Sequence, residues 1–258
     1  MRKTQKTFNI IVLVFVAFLF LLSVKTLSAD TTTEELIPHA PEPASVALVG
    51  GGLIGMIVRF ARKRFQEFKR GMDILFSLAG LIISSPIVLL SGVLIKLTSS
   101  GSIFFTQERV GMNGDTFSIF KLRTMKQDAE KNTGPVWAQE NDPRVTIVGK
   151  ILRKTHIDEI PQLVNVLRGE MSIVGPRPER ACFVIDLARK VRDYEKRLEV
   201  KPGITGLAQV RHKYDETIED VKKKIKFDLL YIREMCLMTD LRIMARTVLV
   251  ILTGKGAR

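Results

Sequence analysis

Three apolar runs mark the front of the chain: Ile10 to Leu22, the glycine-rich Ala44 to Val58, and Ile74 to Ile95. Arg2, Lys3 and Lys6 precede the first run, no acidic residue occurs before Asp30, and Leu27-Ser28-Ala29 could form a cleavage site. Residues 1–29 therefore read as a signal peptide. Leu27 suits the position three residues before the cut poorly, so an uncleaved N-terminal anchor is an equal alternative. Residues 30–43, DTTTEELIPHAPEP, carry no core-forming pattern and read as an exposed polar linker. Residues 44–67 then form a short apolar helix followed by a basic cluster, Arg59, Arg62, Lys63 and Arg64. At about 1.5 Å per residue the apolar part covers about 22 Å, against a hydrocarbon layer of roughly 30 Å. The basic cluster assigns its C-terminal end to the cytoplasmic side.

The third run is long enough to span, but Ser84-Ser85-Pro86 lies at its middle and cations flank both ends, Lys69 and Arg70 before it and Lys96 after. Proline removes a backbone donor and clashes with the preceding turn. Both flanks prefer the cytoplasmic face. The pattern predicts a re-entrant helix-break-helix over 74–95, with the break at Ser85 and Pro86; a kinked spanning helix is the alternative.

Beyond Leu97 the periodicity becomes that of a globular protein. Ile103–Thr106 and Phe117–Phe120 have strand composition, with Gly111-Met112-Asn113-Gly114 as the turn between them. Residues 150–152, 160–167, 180–199 and 216–237 have helical spacing. Residues 241–253 mix arginines with a broad apolar face, as a helix lying in the membrane interface does. No internal repeat is visible.

Composition adds a net charge of +13 and a hydrophobic fraction of 46%. Together these fit an anionic membrane surface and phosphorylated substrates. The long apolar runs, and the lack of a helix-turn-helix pattern or interleaved aromatics, argue against a nucleic-acid partner. Cys182 and Cys236 have no CxxC spacing, and His39, His156 and His212 form no HxxxH or HExxH pattern, so neither zinc nor a disulfide framework is expected.

Candidate chemistry concentrates in Arg153-Lys154-Thr155-His156-Ile157-Asp158-Glu159-Ile160-Pro161-Gln162-Leu163. Pro161 belongs in the first turn of a helix, so Asp158 sits at or just before its start. Adjacent carboxylates there, with Arg153 and Lys154 upstream, could hold a diphosphate and its metal, and an ionised aspartate could act as ligand or nucleophile. The alternative is an N-cap aspartate with a solvated neighbour. In Gly175-Pro176-Arg177-Pro178 two prolines fix the backbone around Arg177, as a phosphate clamp requires; a rigid surface loop is the other reading. Lys201-Pro202-Gly203-Ile204-Thr205-Gly206 either brings backbone amides to a ligand or turns into a strand.

Two resemblances follow from these residues. Pro41-Glu42-Pro43, then an apolar glycine-containing helix, then arginines resembles the PEP-CTERM sorting signal recognised by exosortases. Lys69-Arg70-x-x-Asp73, the Ser-Pro break, Gln107-Glu108-Arg109-x-Gly111, Phe120-Lys121-x-Arg123-Thr124-Met125, Asp158-Glu159-x-Pro161-Gln162-Leu163, Gly175-Pro176-Arg177-Pro178 and Lys201-Pro202-Gly203-Ile204-Thr205-Gly206 occur in that order. From about residue 68 onward the chain resembles the bacterial sugar transferases, the monotopic polyprenyl-phosphate phosphoglycosyl transferases.

That resemblance implies transfer of a sugar 1-phosphate from a UDP-sugar to polyprenyl (undecaprenyl) phosphate. UMP is released, an aspartyl-phosphosugar intermediate forms, and Mg²⁺ is required; the reaction starts a lipid-linked glycan, such as an exopolysaccharide. By position it implies Asp158 as nucleophile and metal ligand, Glu159 as its partner in metal or proton handling, and Arg153 and Arg177 as phosphate contacts. Lys69, Arg70 and Asp73 would lie near the lipid phosphate. It permits a homodimer. The expected fold is α+β: a re-entrant membrane helix with a small, mainly helical catalytic domain over 68–258 on the cytoplasmic side of the bacterial inner membrane, with interfacial amphipathic helices. A competing assignment is a non-catalytic membrane scaffold of a polysaccharide assembly complex. The Asp158-Glu159 pair beside arginines speaks against it.

Overall fold

A computed structural model describes residues 43–129, 134, 142–211 and 217–253, with residues 43–62, 252 and 253 by backbone only. Residues 1–42, which hold the expected signal or anchor segment and nearly all of the linker, lie outside the described residues. The chain divides into two units, Met1–Ile57 and Val58–Arg258. In the first, the described part is helical backbone. The second holds the strands, the remaining helices and the core.

Helix α1 is assigned over Pro43–Thr98 and contains Pro86. The expected interruption at Ser85-Pro86 is therefore not a loss of helical structure. The physical reason is local. Pro86 has no N–H for the Ile82 carbonyl one turn back, and the Ser85 hydroxyl donates to that carbonyl instead, at 2.9 Å. Ser84 donates likewise to the Gly80 carbonyl at 2.6 Å.

The faces of α1 are inverted relative to a soluble helix. The side facing the rest of the protein recurs at helical spacing through Asp73, Ser77, Gly80, Ser84, Ser91 and Ile95, mostly small or polar. The opposite side exposes Leu75, Leu78, Ile82, Ile83, Leu89, Leu90, Val93 and Leu97, with Ile83 80% exposed. Lys63–Thr98 is long enough to cross a membrane and contains an 18-residue stretch with a mean hydropathy of 2.4. Water would penalise that outer face at roughly 25 cal/mol per Å², whereas lipid would not.

After α1 the chain forms an antiparallel hairpin, β1 (Phe104–Val110) and β2 (Thr116–Leu122), in register from Phe104 opposite Leu122 to Val110 opposite Thr116. The turn is the expected one; Asn113 takes a left-handed conformation at φ 58°. Helix α2 (Ile147–Thr155) starts at Thr146, whose hydroxyl accepts from the Gly149 N–H at 2.9 Å. Helix α3 (Gln162–Arg168) follows, then strand β3 (Ser172–Val174), which pairs in parallel with β4 (Gly203–Thr205). The backbones of Gly175 and Gly203 meet where a Cβ on either would collide with main-chain atoms of the other. Hence the Lys201–Gly206 segment turns into a strand, one of its two expected readings. Helices α4 (Ala181–Lys190), α5 (Leu207–Arg211), α6 (Ile218–Arg233) and α7 (Leu237–Thr253) complete the described fold.

The helix expected over 180–199 ends at Lys190. Val191 is extended, Asp193 turns left-handed at φ 61°, and Tyr194–Glu199 forms a 3₁₀ turn. Three residues per turn brings Tyr194 and Arg197 onto one buried side. The helical segment expected over 216–237 closes at Arg233, and α7 begins at Leu237, ahead of the expected start at 241.

Four apolar clusters hold these elements. Val110 of β1 packs with Val184, Leu187, Tyr194, Val221 and Ile225. Val174, Leu207, Tyr231 and Ile243 join β3 to α5, α6 and α7. Leu122 and Leu152 seat the hairpin and α2 on Ile95 of α1. Ile119, Val166 and Met171 pack β2 against α3. The last two clusters fix the segment between α2 and α3, where the acidic pair sits.

Candidate active site

Helix α2 ends at His156, left-handed at φ 55°, whose N–H closes onto the Arg153 and Leu152 carbonyls. A 3₁₀ turn, Ile157–Glu159, comes next, and Pro161 takes the cap of α3. Ile157 is drawn into the cluster around Leu122 and Leu152, which pins the turn from its apolar side. Asp158 thus lies just before a helix start, as Pro161 predicts. The N-cap alternative does not hold, because the cap is Pro161 and makes no side-chain cap bond.

The two carboxylates have different surroundings. Glu159 Oε1 accepts from Lys121 Nζ at 2.7 Å and from Arg177 Nη2 at 2.6 Å. Lys121 comes from β2 and Arg177 from the loop after β3, so three separate segments converge on one carboxylate. Asp158 is 7% exposed, and no hydrogen bond to it occurs among those described between residues. One carboxylate is tied down and its neighbour is left available.

The electrostatics follow that division. Burial pushes Asp158 up, most strongly; Lys121 opposes, the Glu159 charge adds to the rise, and the net value is about 6. Burial also pushes Glu159 up, but Arg177 and Lys121 outweigh it and hold this carboxyl well below its ordinary range. Glu159 raises the Arg177 guanidinium, more than burial lowers it. Burial lowers Lys121, against Glu159. Burial lowers His156 as well, favouring the neutral imidazole. At neutral pH the pair is a fixed anion shared by two cations, beside a carboxylate that titrates near pH 6 and is mostly ionised.

Arg153 stands on the last turn of α2, with its Nε donating to Thr124 Oγ1 at 2.9 Å. Thr124 is buried at the end of the hairpin and its carbonyl accepts from the Thr146 N–H at 3.0 Å. Gly149 crosses directly over the Thr124 backbone, where any Cβ would collide with it. This close approach brings Arg153 alongside Thr124. Arg153 and Arg177 both act on the charge of Asp158.

Lys69, Arg70 and Asp73 are engaged by the protein itself. Lys69 pairs with Asp240 of α7. Arg70 donates to the Val166 and Leu167 carbonyls at the end of α3. Asp73 is buried and accepts from Ser172 Oγ at 3.1 Å and from the Ile173 N–H at 3.0 Å. These ties fasten α1 to α3, β3 and α7. Among the described residues, no three acidic, imidazole or thiol side chains gather as a metal group.

Lys121 is not singled out by the sequence beyond its place in the Phe120-Lys121 motif. The signal is strand periodicity: Phe117, Ile119 and Lys121 share one face of β2, and Ile119 is buried. A lysine on the inward face of a strand needs an anion.

Residues 64–254 match the family model for bacterial sugar transferase, and residues 39–64 match that of the PEP-CTERM protein-sorting motif. The chain is 47% identical over 194 residues to a UDP-N-acetylgalactosamine-undecaprenyl-phosphate N-acetylgalactosaminephosphotransferase of Aeromonas hydrophila, covering 75% of this chain and 46% of that protein. It is 44% identical over 183 residues to a UDP-glucose:undecaprenyl-phosphate glucose-1-phosphate transferase of Klebsiella pneumoniae, covering 70% and 39%. Against an exopolysaccharide production protein of Rhizobium leguminosarum bv. phaseoli it is 39% identical over 198 residues, covering 73% and 97%. The alignments thus reach less than half the length of the Aeromonas and Klebsiella proteins, but nearly all of the Rhizobium one. With the Asp158-Glu159 pair, its cations and the Pro-Arg-Pro loop all inside the matched region, the chain belongs to the bacterial sugar transferase family.

Proposed function

We propose that this protein transfers a sugar 1-phosphate from a UDP-sugar to polyprenyl phosphate, with Asp158 as the nucleophile. The observation that carries the proposal is the division of labour within one acidic pair: Glu159 is neutralised by Lys121 and Arg177, while Asp158 is buried beside the same cations with its oxygens available. The names of the Aeromonas and Klebsiella relatives point to the same substrate classes.

In the first step an Asp158 oxygen attacks the sugar-bearing phosphorus, the P–O bond to the nucleotide breaks, and UMP leaves with that bridging oxygen. The product on the enzyme is an aspartyl-phosphosugar. In the second step an oxygen of polyprenyl phosphate attacks the same phosphorus and Asp158 leaves as a carboxylate. Both steps bring anion to anion. Arg153, Arg177 and Lys121 supply the positive field that makes the approach tolerable. Glu159 keeps Lys121 and Arg177 aimed at the site. An Asp158 carboxylate with no donor among the described hydrogen bonds fits Mg²⁺, which is commonly held by one or two carboxylates and substrate phosphates; bound there it would offset charge on the transferring group.

The lipid acceptor requires a site within reach of the headgroup layer. The apolar outer face of α1 supports insertion of that helix, and α2, which leads into Asp158, exposes Ile147 and Ile151 one turn apart. We place the catalytic domain on the cytoplasmic side of the inner membrane, with residues 74–95 of α1 entering and leaving through that side and bending about Pro86. The relatives named for N-acetylgalactosamine and for glucose leave several UDP-sugars as candidates. The test is UMP release from a panel of UDP-sugars with undecaprenyl phosphate and Mg²⁺, wild type against Asp158→Asn. Release by the wild type and its loss in the variant supports the proposal; equal turnover defeats it. The match at 39–64 further supports recognition by an exosortase, and an uncut N-terminus in the intact mass of membrane-extracted protein would count against cleavage.

A further inference from the structure

The loop that carries Arg177 has no regular structure, yet four consecutive carbonyls in it are all engaged. Pro176 O accepts from the Gly203 N–H at 2.9 Å. Arg177 O accepts from Arg197 Nη2 at 2.6 Å. Pro178 O accepts from Arg109 Nη1 at 3.2 Å, and Glu179 O from the Val110 N–H at 2.9 Å. Two of these four donors are guanidinium groups, and each is itself fixed from behind. Arg197 is 3% exposed, pairs with Asp228 of α6 at 3.1 Å and donates to the Tyr194 hydroxyl at 2.9 Å. Arg109 pairs with Glu179 at 3.6 Å, and Glu179 also accepts from Lys224 at 2.8 Å.

We propose that Arg197, assisted by Arg109, is a positioning residue for Arg177, and so acts on the reaction without touching substrate. Glu159 holds the Arg177 guanidinium at its far end. Its near end is set by the backbone, which Arg197 holds by the carbonyl of Arg177 itself. A buried arginine is a costly way to bond one carbonyl unless its fork geometry matters. Lysine keeps the charge at this position but cannot serve Asp228, Tyr194 and the Arg177 carbonyl in one plane. Its substitution therefore separates charge from geometry. The inference rests on the proposed function in one respect: it takes Arg177 to serve the transfer reaction.

The experiment uses the full-length protein in detergent or nanodiscs and four forms: wild type, Arg197→Lys, Arg177→Ala and the double variant. UMP release should fall about 30-fold in kcat for Arg197→Lys with KM for the UDP-sugar changed less than about threefold, as a misplaced group predicts. In the Arg177→Ala background the same substitution should change kcat by less than about twofold. Equal factors in both backgrounds would show that Arg197 acts independently of Arg177 and overturn the proposal. A second readout needs no turnover: phenylglyoxal modification of Arg177, followed by peptide mass mapping, should accelerate in Arg197→Lys as the contact with Glu159 loosens. An unchanged modification rate also overturns it. If the wild type releases no UMP from any sugar, the proposed function fails and the modification rate alone decides the positioning role. Should Arg197→Lys not fold, Arg109→Lys, which disturbs the adjacent carbonyl, enters the same cycle with the same criteria.

Discussion

Glu159 and Arg177, eighteen residues apart in the chain, meet at 2.6 Å, and that contact sets the character of the acidic pair. It spends one carboxylate on holding cations and leaves the adjacent one for chemistry. Adjacent acids of like type thereby acquire opposite relations to stability.

Asp158 favours the folded state at low pH. Its folded value, about 6, lies above an ordinary aspartate near 3.9, so the advantage is lost as the pH rises through about 6. Above it, the buried charge costs on the order of 3 kcal/mol. Asp158→Asn should raise the melting temperature of metal-free protein at pH 8, and the gain should shrink towards pH 4. Differential scanning fluorimetry across that range measures it.

Glu159 has the reverse sign. Its folded value is depressed, so its stabilisation is present above the ordinary glutamate range and is lost only as pH falls through the lower folded value. Glu159→Gln leaves Lys121 and Arg177 without their shared anion. We expect a lower melting temperature at pH 7 and at least about a hundredfold loss of transfer, since the cations lose their aim. Adjacent conservative substitutions moving thermal stability in opposite directions is the signature to seek.

Activity should follow the Asp158 carboxylate. In the free enzyme, kcat/KM should be flat above about pH 7 and fall about tenfold per unit well below pH 6. In the same assay Lys121→Met should shift this acid limb upward, because Lys121 is the strongest influence opposing the rise of Asp158. An unmoved limb would detach Lys121 from the nucleophile.

The membrane arrangement of α1 has its own test. With Cys182 and Cys236 replaced by serine, single cysteines at the exposed positions Glu67 and Ser100 should both resist an impermeant maleimide in intact cells. Both should react in inside-out vesicles. Reaction of one on each side would mean a spanning helix.

Much of the site is legible in local sequence because its constraints are local. Pro161 fixes Asp158 ahead of a helix, and the paired prolines mark Arg177. What stays hidden depends on long-range convergence. Lys121 on β2 meets Glu159 across 38 residues, which no spacing within either segment reveals. The hairpin and its turn are readable from composition. The end of the helix at Lys190 is not, because its apolar spacing continues through Val191 and Tyr194 while the left-handed turn at Asp193 serves to bring Arg197 inside. The helical form kept at Pro86 has a local cause instead: the preceding serine replaces the missing donor.

The most direct measurement is on the nucleophile itself. Wild-type protein should be incubated with a UDP-sugar it turns over, without lipid acceptor, quenched in acid and digested for peptide mass mapping. The account predicts a sugar-phosphate adduct on the peptide containing Asp158, discharged when polyprenyl phosphate is added before the quench and absent in Asp158→Asn. Robust product formation with no adduct on Asp158 under any quench, or an adduct on another residue, would contradict it.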